Sequence, residues 1–374
     1  MSPRNLEAQA IAGNVATAHD IRELPILVIL PHSRCNCRCV MCDIWKIRQV
    51  REITALDLEP HIASLRELKV RWVVFSGGEP LMHSDLSALA RMLRREGIRT
   101  TLLTAGLILE RHAVQVAEDI DDVIVSIDGP REIHDCIRGV PDAYRRLERG
   151  IHALREHRAS MPIHGRCTIQ NHNFRHLRAM VRAARELKLN SLSFLAADMA
   201  SEAFNHPVRW SEGAMANVAL NAVEVEELAR EIEALIGECQ EEIKSDFIHE
   251  NAEKLRRIVS HFRAHLGQIP PVAPRCNAPW VSAVIESDGA VRPCFFHRPF
   301  GSMQSGTLID VLNSDAAVQF RSQLDISKDA ICQRCVCSLF LEDGDARRAR
   351  SGERMARRSF QSDPRANRKD FSRS

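Results

Sequence analysis

Cys35-Asn36-Cys37-Arg38-Cys39-Val40-Met41-Cys42 places four thiols within eight residues. Cys35, Cys39 and Cys42 follow the spacing Cys-x3-Cys-x2-Cys. Three thiolates on one short loop can hold three corners of a 4Fe–4S cubane, because soft sulfur ligands suit iron–sulfur centres. Such a cluster keeps one iron without a protein ligand, open to chelation by an amine and a carboxylate. The loop also admits zinc, since Cys39-x2-Cys42 is a common zinc half-site. Cys37 is an additional thiol assigned to packing. A second group, Cys276, Cys294, Cys332 and Cys335 with Cys337 beside them, offers two pairs that folding would bring together. Four thiolates suffice for zinc or for a fully ligated cubane, and spacing alone does not separate the two.

These groups hold nine of the chain's twelve cysteines, on either side of a cysteine-poor middle. Clustering of this kind in a large chain without a secretory signal points to metal binding rather than to disulfides. The 374 residues suffice for about two domains, and 45% hydrophobic residues can build a sizeable core. The net charge of +2 points to neither nucleic acid nor an acidic membrane surface as partner. No run of 18 apolar residues occurs, so no membrane span is expected and the chain is read as cytoplasmic.

The elements that must position the cysteines alternate in type. Strands are expected at Leu24–Leu30, Trp72–Ser76, Arg99–Thr104, Val123–Ile127, Ile163–Ile169 and Ser191–Ala196. They are nearly continuous in hydrophobicity, as parallel strands buried on both faces are. Helical patterns lie between them: Thr54 precedes the run to Leu68, Ser84 precedes Leu86–Arg95, and Asn173 precedes Phe174–Leu187. Six strand–helix units predict an α/β fold, an open parallel (β/α)6 partial barrel rather than a closed eight-stranded one. The Cys35–Cys42 loop then sits at the C-terminal end of the first strand, where such folds place ligands.

Further along, Leu228, Ile232, Leu235 and Cys239, then Leu255, Ile258, Phe262 and Leu266, recur at helical spacing and predict two long bridging helices. The expected division is an N-terminal segment 1–21, the partial barrel 22–212, a helical bridge 213–269, a small cysteine-bearing domain 270–345 and a tail 346–374. Residues 347–374 carry ten Lys/Arg against three Asp/Glu and few apolar residues, the composition of a disordered tail. His172 and His176 lie four apart but lack a third ligand. Cys136, Cys167 and Cys239 read as small buried hydrophobes.

The cysteine loop, with Asp43-Ile44-Trp45 after it, resembles the cluster motif of the radical S-adenosylmethionine (radical SAM) superfamily. Three more stretches resemble that family in order. Gly77-Gly78-Glu79-Pro80 closes the second strand and is similar to the motif that meets the amino group of S-adenosylmethionine. Thr104-Ala105-Gly106 stands where many relatives have Thr-Asn-Gly. Ser126-Ile127-Asp128-Gly129-Pro130 leads through His134-Asp135 to Arg138-Gly139, as in members that carry auxiliary clusters, where Ser126 and Arg138 would meet the carboxylate. Cys276-x12-Gly289-x4-Cys294 resembles the opening of the SPASM domain. Since no cysteine follows Cys337, the match is to its truncated twitch form.

The resemblance implies a radical SAM oxidoreductase. Its SAM-binding 4Fe–4S cluster would sit on Cys35, Cys39 and Cys42, and one auxiliary 4Fe–4S cluster on Cys276, Cys294, Cys332 and Cys335, with Cys337 spare or substitute. S-adenosylmethionine is the implied co-substrate, and a flavodoxin or ferredoxin the implied electron donor. The expected reaction is net oxidation of a small polyol or sugar-like molecule. Modification of a ribosomally made peptide is the second reading, and a non-catalytic zinc protein a remote third.

Overall fold

The computed structural model describes residues 19–206 and 210–342; the expected basic tail and most of the N-terminal segment lie outside them. Seven strands run parallel: β1 (Ile26–Ile29), β2 (Trp72–Phe75), β3 (Arg99–Thr104), β4 (Asp122–Ser126), β5 (Ile163–Ile169), β6 (Ser191–Ala196) and β7 (Ser282–Ile285). The short β8 (Ala290–Arg292) and β9 (Gly301–Ser302) are antiparallel, and the order across the sheet is β6-β5-β4-β3-β2-β1-β7-β8-β9. The six expected strands are present. The seventh was not foreseen: β7 pairs with β1 over Ile26↔Ser282 to Ile29↔Ile285, so the second cysteine region extends the barrel sheet itself.

Alternate residues serve two interiors. Leu27, Val73, Val123 and Val125 are fully buried in the layer beneath the helices, whereas Ile26, Val28, Val74 and Ile124 line an internal lumen. Burial on both faces explains the continuous apolar runs in the sequence.

The helices are α1 (Ile62–Glu67), α2 (Leu86–Arg95), α3 (Leu109–Asp119), α4 (Arg131–Arg138), α5 (Ala143–His157), α6 (Leu177–Glu186), α7 (Ala222–Glu238), α8 (Ala252–His265), α9 (Leu308–Leu312), α10 (Asp315–Gln323) and α11 (Ala330–Gln333). Two start signals fall elsewhere than expected. Asp85, not Ser84, caps α2 by accepting from the Ala88 N–H, because the Ser84 hydroxyl donates to Glu52 at 2.6 Å. Asn173 caps nothing: it is fully buried, and its amide donates to the carbonyls of Asp128 and Thr168, so α6 begins only at Leu177. Cys136 is exposed on the charged α4, against the expectation of a buried hydrophobe, whereas Cys167 is buried.

The bridging helices form as the periodicity predicts. Asn221 and Asn251 cap α7 and α8, and Leu255, Ile258, Val259 and Phe262 are buried as α8 packs on α7 and β6. No helix among the described residues is long and apolar enough to cross a membrane.

Candidate functional site: two cysteine groups and a lumen

The first cysteine loop leaves β1 and is stitched to the C-terminus of α4. The Arg38 N–H donates to the Arg138 carbonyl at 2.8 Å and the Val40 N–H to that of Ile137 at 3.0 Å. This close approach needs Gly139. It adopts φ +62°, and a β-carbon there would lie 2.5 Å from the Arg38 carbonyl oxygen. The Arg138-Gly139 pair thus has a backbone role that sequence reading overlooked.

On the other side, the Asp43 N–H donates to the Phe204 carbonyl, and Asn205 and His206 bond the carbonyls of Asp43 and Met41. Phe204, at φ +57°, stacks 6.2 Å from Phe295, the residue after Cys294. It also meets Phe296 edge-on at 6.2 Å, so the two cysteine regions are joined through aromatic contacts.

Within the loop, buried Cys37 lies between Cys35 and Cys39, and its thiol donates to Cys39. That hydrogen bond, with the nearby Arg138 guanidinium, brings the Cys39 thiol down to about 7 in spite of its burial. Arg138 Nη1 lies 3.5 Å from Cys39 Sγ, and Nη2 pairs with Asp128 at 2.5 Å, both side chains buried. Burial, then the neighbouring Cys39, push the Cys42 thiol up.

Gly77-Gly78-Glu79-Pro80 closes β2 against this loop. A β-carbon on Gly78 would stand 2.1 Å from the Arg34 carbonyl oxygen, so backbone meets backbone where the sequence places glycine. Glu79 is fully buried, and burial raises its carboxyl. It accepts from the Thr104 hydroxyl at 2.8 Å and from the N–H groups of Ala105 at 2.9 Å and Leu81 at 3.1 Å. Its carboxylate thus ties the β2 and β3 loops together. Ser126, half-buried, ends β4 beside Arg166 of β5. Gly78→Ala is expected to destabilise the fold by about 1–3 kcal/mol through overpacking and to lower iron retention, read by thermal unfolding and iron analysis.

The second group lies along one cavity, the lumen. Cys276, Cys294, Cys332, Cys335 and Cys337 are all half-buried and all border the lumen. The Cys335 N–H donates to the Cys332 carbonyl, and Arg257 of α8 donates to the Cys335 carbonyl at 3.0 Å. Burial pushes the Cys294 thiol up to about 11 and raises those of Cys332, Cys335 and Cys337. Thiols held protonated in this way become ligands once a metal supplies the compensating charge. Sequence reading missed His297 and Asp329: their ligand atoms and Cys332 Sγ lie within 4.8 Å of one another, with His297 Nε2 3.3 Å from the sulfur. No spacing signal marks His297, which a turn after β8 delivers.

The lumen runs from this group to Ser76, the residue before Gly77. Its walls are mainly Ile, Val, Leu and Phe side chains; the polar groups include Arg166, Ser193, His164, His249 and Glu250. Arg166 donates to Ser193 at 3.4 Å, and Ser191 bridges His164 and His249 at 2.7 and 2.8 Å.

Residues 29–184 match the radical SAM superfamily, and residues 276–336 match the SPASM iron-sulfur cluster-binding domain. The chain belongs to the radical SAM superfamily. Among its relatives, the Fe-coproporphyrin III synthase of Methanosarcina barkeri is 30% identical over 174 residues, 46% of this chain and 43% of that protein. The PqqA peptide cyclase of Bradyrhizobium diazoefficiens is 30% identical over 129 residues, 33% of this chain and 34% of that one. The radical SAM chain thus spans less than half the length of these relatives. Among solved structures, Streptococcus suis SuiB bound to its precursor peptide SuiA shares the fold. The TM-score is 0.61 at 17% identity, covering 86% of this chain and 73% of that one.

S-adenosylmethionine and 4Fe–4S clusters are the cofactors this pair of domains implies. The residues present fit them. Cys39 is already poised toward thiolate, and Arg138 Nε and both side-chain polar atoms of Asn36 are buried without hydrogen-bond partners.

Proposed function

We propose that this chain is a radical SAM oxidoreductase acting on a largely apolar, carboxylate-bearing substrate bound in the barrel lumen. The observation that carries the proposal is the lumen itself, bordered by the second cysteine group and reaching Ser76 before the Gly77-Gly78 turn, with apolar walls and Arg166 among them. Cys35, Cys39 and Cys42 would hold the first cluster, and Cys276, Cys294, Cys332 and Cys335 an auxiliary one. Gly77–Pro80, Ser126 and Arg138 would shape the site of S-adenosylmethionine. When bound and reduced by a flavodoxin or ferredoxin, this pair of cofactors supplies a 5′-deoxyadenosyl radical able to take a hydrogen atom from carbon.

The protein's own residues do the rest. Cys37 and Arg138 hold Cys39 near thiolate, Glu79 fixes the two loops, and Arg166 offers a guanidinium to a substrate carboxylate. A small polyol, expected from the sequence, suits these walls poorly, because burying hydroxyls against Ile, Val and Phe leaves them without partners. The named relatives, a coproporphyrin synthase and a peptide cyclase, favour larger substrates as well.

The test is anaerobic incubation with S-adenosylmethionine and dithionite. Loaded protein is expected to contain about eight irons and to release 5′-deoxyadenosine slowly, faster with Fe-coproporphyrin III than with its methyl ester. Stoichiometric zinc without 5′-deoxyadenosine overturns the radical reading. Stimulation by a neutral polyol and by no carboxylate overturns the substrate class.

A further inference from the structure

Oxidation of a substrate radical releases a proton as well as an electron, and Glu250 is among the titratable groups that line the lumen. The 247–250 segment runs along β6, with a bridge between Leu192 and Ile248 and the His249 N–H donating to the Leu192 carbonyl. This register turns Glu250 inward, 5% exposed, where it accepts from the Phe194 N–H at 2.8 Å. One turn further, inside α8, stands Lys254.

Three spaces meet at this pair. Glu250 lines the lumen. A small cavity behind the wall shares Leu195, Glu250 and Cys335 with the lumen, and is lined by Lys254 as well. Lys254, Arg257 and His261 of that small cavity also line an outer groove of about 510 Å³ between α8 and the Pro270–Pro274 stretch, open to solvent. Glu250 and Lys254 therefore bridge lumen and exterior in two steps.

We infer that Glu250 and Lys254 form the proton exit of the lumen. The inference rests on the radical reading above for the origin of the proton. After the substrate loses a hydrogen atom, the oxidised auxiliary cluster that Cys276, Cys294, Cys332 and Cys335 would hold would take up the one electron of its radical. One proton from an adjacent C–H or O–H bond goes to the Glu250 carboxylate, leaving a double bond in the product. Glu250 passes that proton to the Lys254 amine, which releases it into the groove.

The local electrostatics suit this relay. Burial raises Glu250 to about 7, with Lys254 and Arg166 opposing, and burial lowers Lys254 to about 8, with Glu250 opposing. The pair is thus closely matched, as efficient transfer requires. The other charged or titratable groups facing it are Arg257, Cys337 and Glu253 beside Lys254, and Cys167 of β5, which is buried as a thiol. His261 is brought down to about 4 by burial, so it is neutral and does not compete.

Infrared difference spectroscopy on the cluster-loaded protein, without substrate, tests the path. The wild type minus Glu250→Gln spectrum is expected to show the carbonyl band of a protonated carboxyl that titrates above the usual carboxylate range. In D2O that band should shift within the mixing time in the wild type, and about a hundredfold more slowly in Lys254→Met. Iron content and circular dichroism verify folding, and Lys254→Gln serves the same comparison if Lys254→Met loses iron. Absence of a titrating band, or unchanged deuteration in the folded Lys254 variant, overturns the inference. Neither measurement depends on 5′-deoxyadenosine, so the radical reading stands or falls separately.

Discussion

Replacing Cys35, Cys39 and Cys42 together by alanine is expected to remove about four irons and to abolish release of 5′-deoxyadenosine, while the second cysteine group keeps its own. The loss should be local. The loop is held by backbone bonds from Arg38 and Val40 to the end of α4 and from Asp43 to Phe204, none of which uses a thiol. The barrel strands pack through Leu27, Val73 and Val123, remote from the loop.

Cys37→Ala is the informative control. Its hydrogen bond lowers Cys39, so this single variant is expected to keep about four irons on the loop but to assemble them more slowly at neutral pH, where Cys39 is then more fully protonated. Raising the pH should restore the assembly rate, because deprotonation no longer needs the Cys37 donor. Iron analysis and the visible absorption of the reconstituted protein read both variants. A triple variant that still makes 5′-deoxyadenosine would move the reaction away from this loop.

The parts of the molecule that could be read in the sequence share one property: each depends on a local pattern. Continuous apolar runs marked β1 to β6, the Leu255–Phe262 periodicity marked α8, and the cysteine spacings marked both thiol groups. What could not be read depends on partners remote in the chain. β7 is four residues long, and its place beside β1 is set by pairing across some 250 positions. Asn173 looked like a helix cap because its type suits one, but the Asp128 and Thr168 carbonyls claim its amide. His297 reaches Cys332 from 35 residues away. Arg138 was legible as a residue near the site, and its grip on Cys39 and Asp128 was not. Glu250 is one glutamate among many until β6 turns it inward.

The double variant Cys332→Ala with Cys335→Ala asks what the second thiol group contributes. It is expected to lose about four irons, to retain reductive cleavage of S-adenosylmethionine, and to lose net oxidation of substrate. Both thiols must go. Cys337 stands beside Cys335, whose thiol donates to its carbonyl at 3.0 Å, and on this proposal would substitute for a single missing ligand. The region has packing of its own that does not rest on sulfur. β7 is fully buried in the sheet, Leu308, Val311 and Leu312 of α9 join the main core, and buried Arg321 donates to the carbonyls of His19 and Leu312. The Arg257 bond to the Cys335 carbonyl is a backbone contact and survives the change. A metal site also contributes folding energy, so circular dichroism and the iron of the first loop are measured on the same sample. If the folded variant oxidises substrate at the wild-type rate, the second cluster is structural. The electron of the substrate radical must then return to the first site. If turnover is lost while 5′-deoxyadenosine continues, the radical forms and has no acceptor, which places the oxidising step at the second cysteine group.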